Sequence, residues 1–162
     1  MKSTQRKPKN LAAEIGRDRP FDSLEQELFL NLIRTSEWLQ GEFATVFKAH
    51  GITQPQFNVL KILQVEEEFG IPIQKIGARM TTKSSDVTRL VDRLERSGMV
   101  KRFRTEEDRR IIYVRLTEAG RAMIDQLAQP LIEAHQSTKG NFDRTSLELL
   151  NNLLFELRHS RD

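Results

Sequence analysis

The sequence of 162 residues contains no cysteine, and none of its apolar runs approaches the roughly 20 residues that a membrane-spanning helix needs. The absence of cysteine excludes a disulfide scaffold, thiolate ligands for a metal and a switch that works by thiol oxidation. The first ten residues also lack the apolar core of a secretory signal. We therefore expect a cytoplasmic protein that does not enter a membrane.

Signatures of catalysis and of metal binding are missing as well. The three histidines are far apart in the chain: His50, His135 and His159. None of them has a second histidine or a glutamate at the i, i+4 spacing of metal ligands on a helix. The sequence also has no catalytic Ser/His/Asp order, no phosphate-binding glycine loop and no supported pair of carboxylates. It therefore predicts no enzyme, no metal site and no cofactor.

The charge that is present is unevenly distributed. The net charge is +3, but residues 75–115 contain 12 basic and 6 acidic side chains, whereas residues 20–74 contain 3 basic and 8 acidic ones. A local concentration of positive charge is typical of a surface that binds a polyanion. Residues 1–20 are polar and basic and are bounded by Pro8 and Pro20, so we expect a flexible tail there.

The most informative stretch runs from Ser84 to Arg104. Four of its apolar residues follow the i, i+3, i+4, i+7 spacing of one helix face: Val87, Leu90, Val91 and Leu94. The opposite face carries hydroxyl and guanidinium groups, and Gly98 is typical of the residue just past a helix C-terminus. The stretch predicts an amphipathic helix from Ser84 with a basic outer face, followed by a strand.

The residues before this helix predict its partner. A helix opened by Thr53 or Gln54 is followed by a loop or short extended piece up to Pro72, and then by a short helix from Ile73 to about Met80. Cap chemistry for the Ser84 helix is expected from Thr81 and Thr82. Two helices joined by a few residues, the second of them basic, form a helix-turn-helix.

The residues after this helix predict a basic hairpin. Residues 99–104 and 110–116 are extended segments around a polar turn, and the second of them alternates apolar and polar side chains. Such a hairpin beside a helix-turn-helix is a wing, and Arg109 and Arg110 lie near its tip.

Long apolar helices flank the winged segment. The first is predicted from Phe21 to Gly51, a second after Thr117, and the last after Asp143. The first and last helices are apolar over more than one face, so each must be covered from more than one side. We therefore expect a homodimer built from the two chain ends.

These elements together predict a mainly α protein of the α+β class. After the tail over residues 1–20, we expect a single domain over residues 21–162. A winged helix-turn-helix would occupy residues 53–116, and N- and C-terminal helices over residues 21–50 and 117–160 would form the dimerisation region.

Two groups of residues resemble the MarR family of bacterial transcriptional regulators, over roughly residues 24–158. Residues 88–95 and 98–100 are similar to the family's recognition helix and its exit into the wing. The family's wing signature is matched by a second group: Asp108, Arg109, Arg110, Val114, Leu116, Thr117 and Gly120. The resemblance implies a dimer with a winged helix-turn-helix in each subunit. It also implies a regulator, most often a repressor, that binds a pseudo-palindromic operator and is released by a small molecule.

The resemblance implies roles for particular residues. In the recognition helix, four residues would meet base edges in the major groove: Ser84, Ser85, Thr88 and Arg89. Phosphates would instead be bound by Lys83, Arg93 and Arg96. In the wing, Arg110 would enter a minor groove, with Arg109 as the next candidate and Asp108 as an intramolecular support, since its charge has the sign of the phosphates.

The family's effector pocket often takes a small aromatic acid or phenol, and Trp38, Phe57 and Arg102 are candidates for its lining. For Trp38, plain core or dimer packing is the favoured interpretation. An alternative function is a winged-helix protein-interaction scaffold without DNA binding, whose basic face meets an acidic partner. A DNA-binding protein differs from it by an affinity for duplex that falls steeply with salt and by a preference for an inverted repeat.

Overall fold

A computed structural model of the chain describes residues 9–66, 69–81, 86–106 and 109–160. The elements in chain order are α1 (Leu11–Glu14), α2 (Leu24–Ala49), α3 (Gln54–Gln64), β1 (Ile71–Pro72), α4 (Ile73–Arg79), α5 (Val87–Arg96), β2 (Val100–Phe103), β3 (Tyr113–Leu116), α6 (Glu118–Thr138) and α7 (Arg144–His159). The predicted class, mainly helical with a small sheet, is confirmed. The chain divides into two compact units, residues 1–42 and 43–162.

The first unit contains one helical turn that the sequence analysis did not expect. The side chain of Asn10 caps α1 by accepting a hydrogen bond from the Ala13 N–H at 3.0 Å, and Leu11 is buried. Glu14 makes an ion pair with Arg34 of α2, at 2.6 Å. Residues 11–14 thus form a helical turn within the predicted tail, and a cap, a buried leucine and an ion pair hold this turn. Residues 1–8 lie outside the described residues.

The helix α2 begins at Leu24, shortly after the predicted start at Phe21. The hydroxyl of Ser23 accepts a hydrogen bond from the Gln26 N–H at 3.2 Å, and the Gln26 side chain accepts one from the Asp22 N–H at 2.9 Å. Large apolar side chains remain exposed along its first part: Leu24, Leu28, Phe29, Ile33 and Trp38. This exposure agrees with the predicted surplus of apolar surface.

The second unit is built around α3 and the sheet. Thr53, one of the two predicted starts of this helix, forms a capping box with Gln56 at the start of α3, and Pro55 lies in the first turn. The most deeply buried side chains come from α3, α4, α5, α6 and the sheet: Val59, Leu60, Leu63, Ile71, Ile76, Val91, Leu94, Val114 and Leu127. Val91 and Leu94 of α5 belong to this core, so the core holds that helix by one face.

The three strands form one antiparallel sheet with the order β1-β3-β2. Val100 pairs with Leu116 and Phe103 with Tyr113, so β2 and β3 form the predicted hairpin. Residue Ile71 of β1 pairs with Val114. The short extended piece before α4 is thus a third strand, a pairing that depends on contacts more than 40 residues apart in the chain.

The helix α7 begins after Asp143, whose carboxylate accepts a hydrogen bond from the Ser146 N–H at 2.8 Å. Every residue of α7 is at least partly exposed. Several large apolar side chains are among the exposed ones: Leu149, Leu150, Leu153, Phe155 and Leu157. The predicted apolar surplus of the last helix is therefore confirmed. Among the described residues, no helix is both long and apolar enough to cross a membrane.

Candidate nucleic-acid interface

The helices α4 and α5 form the predicted helix-turn-helix. Ile76 is fully buried and Met80 packs against the core. A Cβ added to Gly77 would lie 3.3 Å from Cγ2 of Val87, so glycine allows α4 to approach α5 closely. Asn58 of α3 accepts a hydrogen bond from the Thr81 N–H at 2.9 Å and holds the start of the connection. The sequence does not predict this role of Asn58, because a lone polar residue on an amphipathic helix carries no local signal.

The recognition helix α5 begins later than predicted. Its first residue is Val87 rather than Ser84, and its N-cap is Asp86, where the sequence analysis expected Thr81 or Thr82. The Asp86 carboxylate accepts a hydrogen bond from the Arg89 N–H at 3.0 Å, which satisfies a donor of the first turn.

Three of the residues assigned to DNA contact in this region, Lys83, Ser84 and Ser85, lie outside the described residues. Their roles stay predictions.

The two faces of α5 are as the spacing predicts. Val91 and Leu94 are buried, and Val87 and Leu90 are partly buried against the core. The other face exposes four polar residues: Thr88, Arg89, Arg93 and Arg96. Since the core anchors one face, the basic face is available to a partner.

The Arg89 side chain is held at its Nε atom and is otherwise largely exposed to solvent. Its Nε lies 2.8 Å from Oδ2 of Asp86, while 80% of the side chain is exposed. This pairing directs the guanidinium group without burying it. Such an arrangement suits recognition of a planar acceptor pair, because a guanidinium group donates bidentately.

The exit from α5 explains several residues of the wing signature. Gly98 has φ of +71°, and the Met99 N–H donates to the Leu94 carbonyl at 2.9 Å, which closes the helix in a Schellman motif. The Thr117 hydroxyl donates to the Gly98 carbonyl at 2.6 Å and accepts from the Gly120 N–H at 3.2 Å. These bonds join the end of α5 to the start of α6.

Gly120 is required by a close backbone approach. A Cβ at this position would lie 2.2 Å from the Met99 carbonyl oxygen, which is far inside van der Waals contact. The glycine therefore allows α6 to pack directly against the start of the hairpin.

The wing tip differs from the prediction in where β3 begins. The strand starts at Tyr113, and Arg109 and Arg110 lie in the preceding turn, both exposed. The prediction of an extended segment from residue 110 is therefore wrong at its start, because the pairing of β3 with β2 ends where Tyr113 lies opposite Phe103. Asp108 lies outside the described residues, so its support of Arg110 stays a prediction.

Aromatic contacts stiffen the hairpin below this turn. The rings of Phe103 and Tyr113 lie 5.6 Å apart, and the Arg115 guanidinium group lies 5.2 Å from the centre of the Phe103 ring. Cross-strand aromatic and cation–π pairs of this kind stabilise a two-stranded ribbon.

Arg102 extends from β2 to α5. Its guanidinium nitrogens lie 2.6 Å from Oδ1 of Asp92 and 3.0 Å from Oε2 of Glu95, and one of them donates to the Thr88 carbonyl at 3.3 Å. Its backbone N–H donates to Oε1 of Glu95 at 3.0 Å. The side chain is 23% exposed. The resemblance makes Arg102 a candidate for an effector pocket, and the sequence carries no signal of this pairing with the recognition helix.

The other two pocket candidates lie in separate surroundings. Phe57 is buried in the core of the second unit, with its ring 5.4 Å from that of Phe47. Trp38 is 48% exposed on the part of α2 that belongs to the first unit. Their role in an effector pocket stays a prediction. Among the described residues, no cluster of His, Asp or Glu could hold a metal ion.

Comparison with known proteins gives consistent matches. A model of the MarR family matches residues 52–112. The crystal structure of a MarR transcription factor from Planctomyces limnophilus is 32% identical, with a TM-score of 0.66 over 83% of this chain and 98% of that one.

Two curated proteins extend the comparison. The HTH-type transcriptional regulator TtmR of Methylorubrum extorquens (strain PA1) is 33% identical over 115 residues, which are 71% of this chain and 57% of TtmR. This chain therefore spans little more than half of that protein's length. The homoprotocatechuate degradative operon repressor of Escherichia coli is 25% identical over 82% of this chain and 88% of its own.

The fold, the helix-turn-helix and the wing agree with these matches, and the matched proteins are transcriptional regulators rather than enzymes. The chain therefore belongs to the MarR family of DNA-binding transcriptional regulators.

Proposed function

We propose that this protein is a repressor that binds a pseudo-palindromic operator as a homodimer and releases it when a small aromatic or phenolic effector binds. The observation that carries DNA binding is the anchored helix α5. Val91 and Leu94 hold it on the core, while Arg89 and Arg93 project from its exposed face. A helix with this polarity, followed by a basic hairpin, suits a major groove and the minor groove next to it.

Each basic element has a distinct role in this proposal. Thr88 and Arg89, with Ser84 and Ser85, read base edges, and Arg89 donates bidentately to a guanine. Lys83 and Arg93 bind phosphates and add affinity without sequence preference. At the wing, Arg110 enters a minor groove, with Arg109 beside it and Asp108 as support. The exposure of Thr88, Arg89, Arg93, Arg109 and Arg110 supports these assignments.

The homodimer is supported by the apolar surface of the terminal helices. Large side chains on α2 and α7 are exposed in the single chain, and a second copy offers the matching surface. Two copies related by a two-fold axis would present two α5 helices to the two half-sites of an inverted repeat. The repressor role is supported by the name of the E. coli relative.

The effector rests on the family resemblance. Trp38 and Phe57 are the aromatic candidates for its pocket. Arg102 is the least suited of the three, because it would have to give up its pairing with Asp92 and Glu95 to bind an effector. A screen for aromatic acids and phenols that release bound DNA tests this part of the proposal.

The DNA-binding part is tested by selecting duplexes from a random-sequence pool with the wild-type protein. The recovered duplex and a scrambled duplex of equal composition are then titrated by fluorescence anisotropy at several salt concentrations. We expect a preference for an inverted repeat and an affinity that falls steeply with salt. No enrichment and no salt dependence would instead favour the protein-interaction scaffold.

A further inference from the structure

The two elements proposed to contact DNA are joined by one side chain. Arg102 starts on strand β2 of the wing and reaches α5 through three groups on successive turns of that helix, Thr88, Asp92 and Glu95, at 3.3, 2.6 and 3.0 Å. The backbone N–H of Arg102 adds a fourth contact, to Glu95 at 3.0 Å. The wing and the recognition helix are therefore held at a defined relative orientation by an arginine fork.

This cluster is poorly suited to stability alone. The Nε of Arg102 is buried and has no hydrogen-bond partner within the described part of the chain. Replacing a partly buried ionic cluster with apolar residues is often neutral or stabilising, whereas ionic clusters of this kind can specify one geometry. The two carboxylates also place negative charge on α5, which opposes binding to phosphates.

We propose that Arg102 is a positioning residue that sets the orientation of the wing relative to α5, so that both elements contact one duplex at the same time. The inference rests on the proposed function. Its physical basis is preorganisation: if the wing is free to move relative to α5, part of the binding free energy is lost in ordering it. Asp92 and Glu95 act through Arg102 and need no contact with DNA.

The first test asks whether a substitution on α5 weakens or strengthens DNA binding. Asp92→Asn removes a negative charge from α5, so electrostatics alone predicts tighter binding to DNA. The positioning role predicts weaker binding, because a neutral amide oxygen replaces the carboxylate in the shortest contact of Arg102 and weakens it. With the duplex selected by the wild-type protein as probe, we expect a loss of about tenfold, or about 1.4 kcal/mol. Unchanged or tighter binding by Asp92→Asn overturns the inference.

The second test measures coupling between Arg102 and the wing tip. Arg102→Met keeps the aliphatic stem and removes the fork, and Arg102→Lys keeps one charge without the fork. If Arg102 positions the wing, Arg110→Ala weakens binding less in the Arg102→Met background than in the wild-type background. Arg102→Lys should restore part of the difference. Equal effects of Arg110→Ala in both backgrounds overturn the inference.

A matched control separates positioning from loss of charge. Lys101→Met removes a positive charge from the adjacent residue of the same strand, where the side chain is exposed on the opposite face. This variant should leave the effect of Arg110→Ala unchanged. Thermal unfolding of all variants identifies a temperature at which every variant is folded, and binding is compared at that temperature. The Asp92→Asn variant tests the positioning role while Arg102 itself stays unchanged.

The outcomes also separate the inference from the proposed function. If the wild-type protein binds no duplex, the proposed function fails and the inference fails with it. If the wild-type protein binds a duplex with salt dependence but Asp92→Asn does not weaken binding, only the positioning role of Arg102 fails.

Discussion

Arg89 shows how a single side chain of α5 is prepared for recognition. Its backbone N–H and its Nε both bond to the carboxylate of Asp86, at 3.0 and 2.8 Å. The N-cap thus serves the helix and orients the arginine at once. The side chain is 80% exposed, so the terminal nitrogens of the guanidinium group are the donors that we propose for a guanine in the major groove.

Arg89→Ala should reduce the preference for the selected duplex over a scrambled one by about 1–3 kcal/mol, because one bidentate base contact is lost. The measurement is the ratio of the two dissociation constants at one salt concentration. Arg96→Ala, near the C-terminal end of the same helix, is the control and should weaken both duplexes to a similar extent. An unaltered ratio for Arg89→Ala would reduce Arg89 to a phosphate contact.

Gly120 is the residue at which packing leaves no room for a side chain. Gly120→Ala should destabilise the protein by about 1–3 kcal/mol, because the added Cβ would lie 2.2 Å from the Met99 carbonyl oxygen. Urea unfolding followed by circular dichroism measures the change.

The control for Gly120→Ala is a helical glycine that has room for a side chain. A Cβ on Gly41 of α2 meets nothing within 4 Å, so Gly41→Ala should stabilise by about 0.5–1 kcal/mol. If Gly120→Ala were as stable as the wild type, the backbone approach at this point would have to be wider than the structure shows.

At the scale of elements, the hairpin consists of a base, formed by the paired strands β2 and β3, and a positively charged turn. Paired strands, the Phe103–Tyr113 contact and the arginine over Phe103 stabilise the base. Arg109 and Arg110 lie beyond the last paired residues, where the side chains depend least on the sheet. The wing can therefore place a cation away from the core while its own orientation stays defined.

Arg110→Ala should weaken binding to the selected duplex by about tenfold, since a guanidinium group in a narrow A·T-rich groove is lost. Anisotropy titration measures affinity, and sedimentation shows that the oligomeric state is unchanged. Arg115→Ala removes the same charge from the base of the hairpin and should have a smaller effect. Equal affinities of Arg110→Ala and wild type would remove the wing from the DNA interface.

At the scale of the whole molecule, the exposed apolar face of α7 is the feature that a single chain does not explain. Five large apolar side chains of this helix are more than 40% exposed. A surface of this kind on a folded protein usually marks an interface. A second copy of the chain would cover it and would also fix the distance between two recognition helices.

Leu153→Glu should convert the dimer to monomer and lower operator affinity, because a charge enters an apolar interface. Sedimentation velocity at several protein concentrations gives the oligomeric state. Asn152→Glu adds the same charge to an exposed polar neighbour and should leave the dimer intact. A Leu153→Glu protein with the wild-type sedimentation coefficient would exclude α7 from the dimer interface.

Local patterns predicted most of the elements correctly. Capping residues located the starts of α3 and α7, the spacing of Val91 and Leu94 identified the buried face of α5, and Gly98 marked its end. These features depend on neighbours within one or two helical turns, so sequence alone carries them. The same holds for the concentration of positive charge over residues 75–115, which indicated a polyanion as partner.

Tertiary structure decided what depends on contacts between distant residues. Three features have no local signal, because each requires elements that meet only after folding. They are the pairing of β1 with β3, the start of β3 at Tyr113 and the hydrogen bond between Asn58 and the helix-turn-helix. Arg102 is the clearest example. From the sequence it was a candidate for the lining of an effector pocket. The fold places its guanidinium group on Asp92 and Glu95, because the Schellman turn at Gly98 brings β2 back along α5.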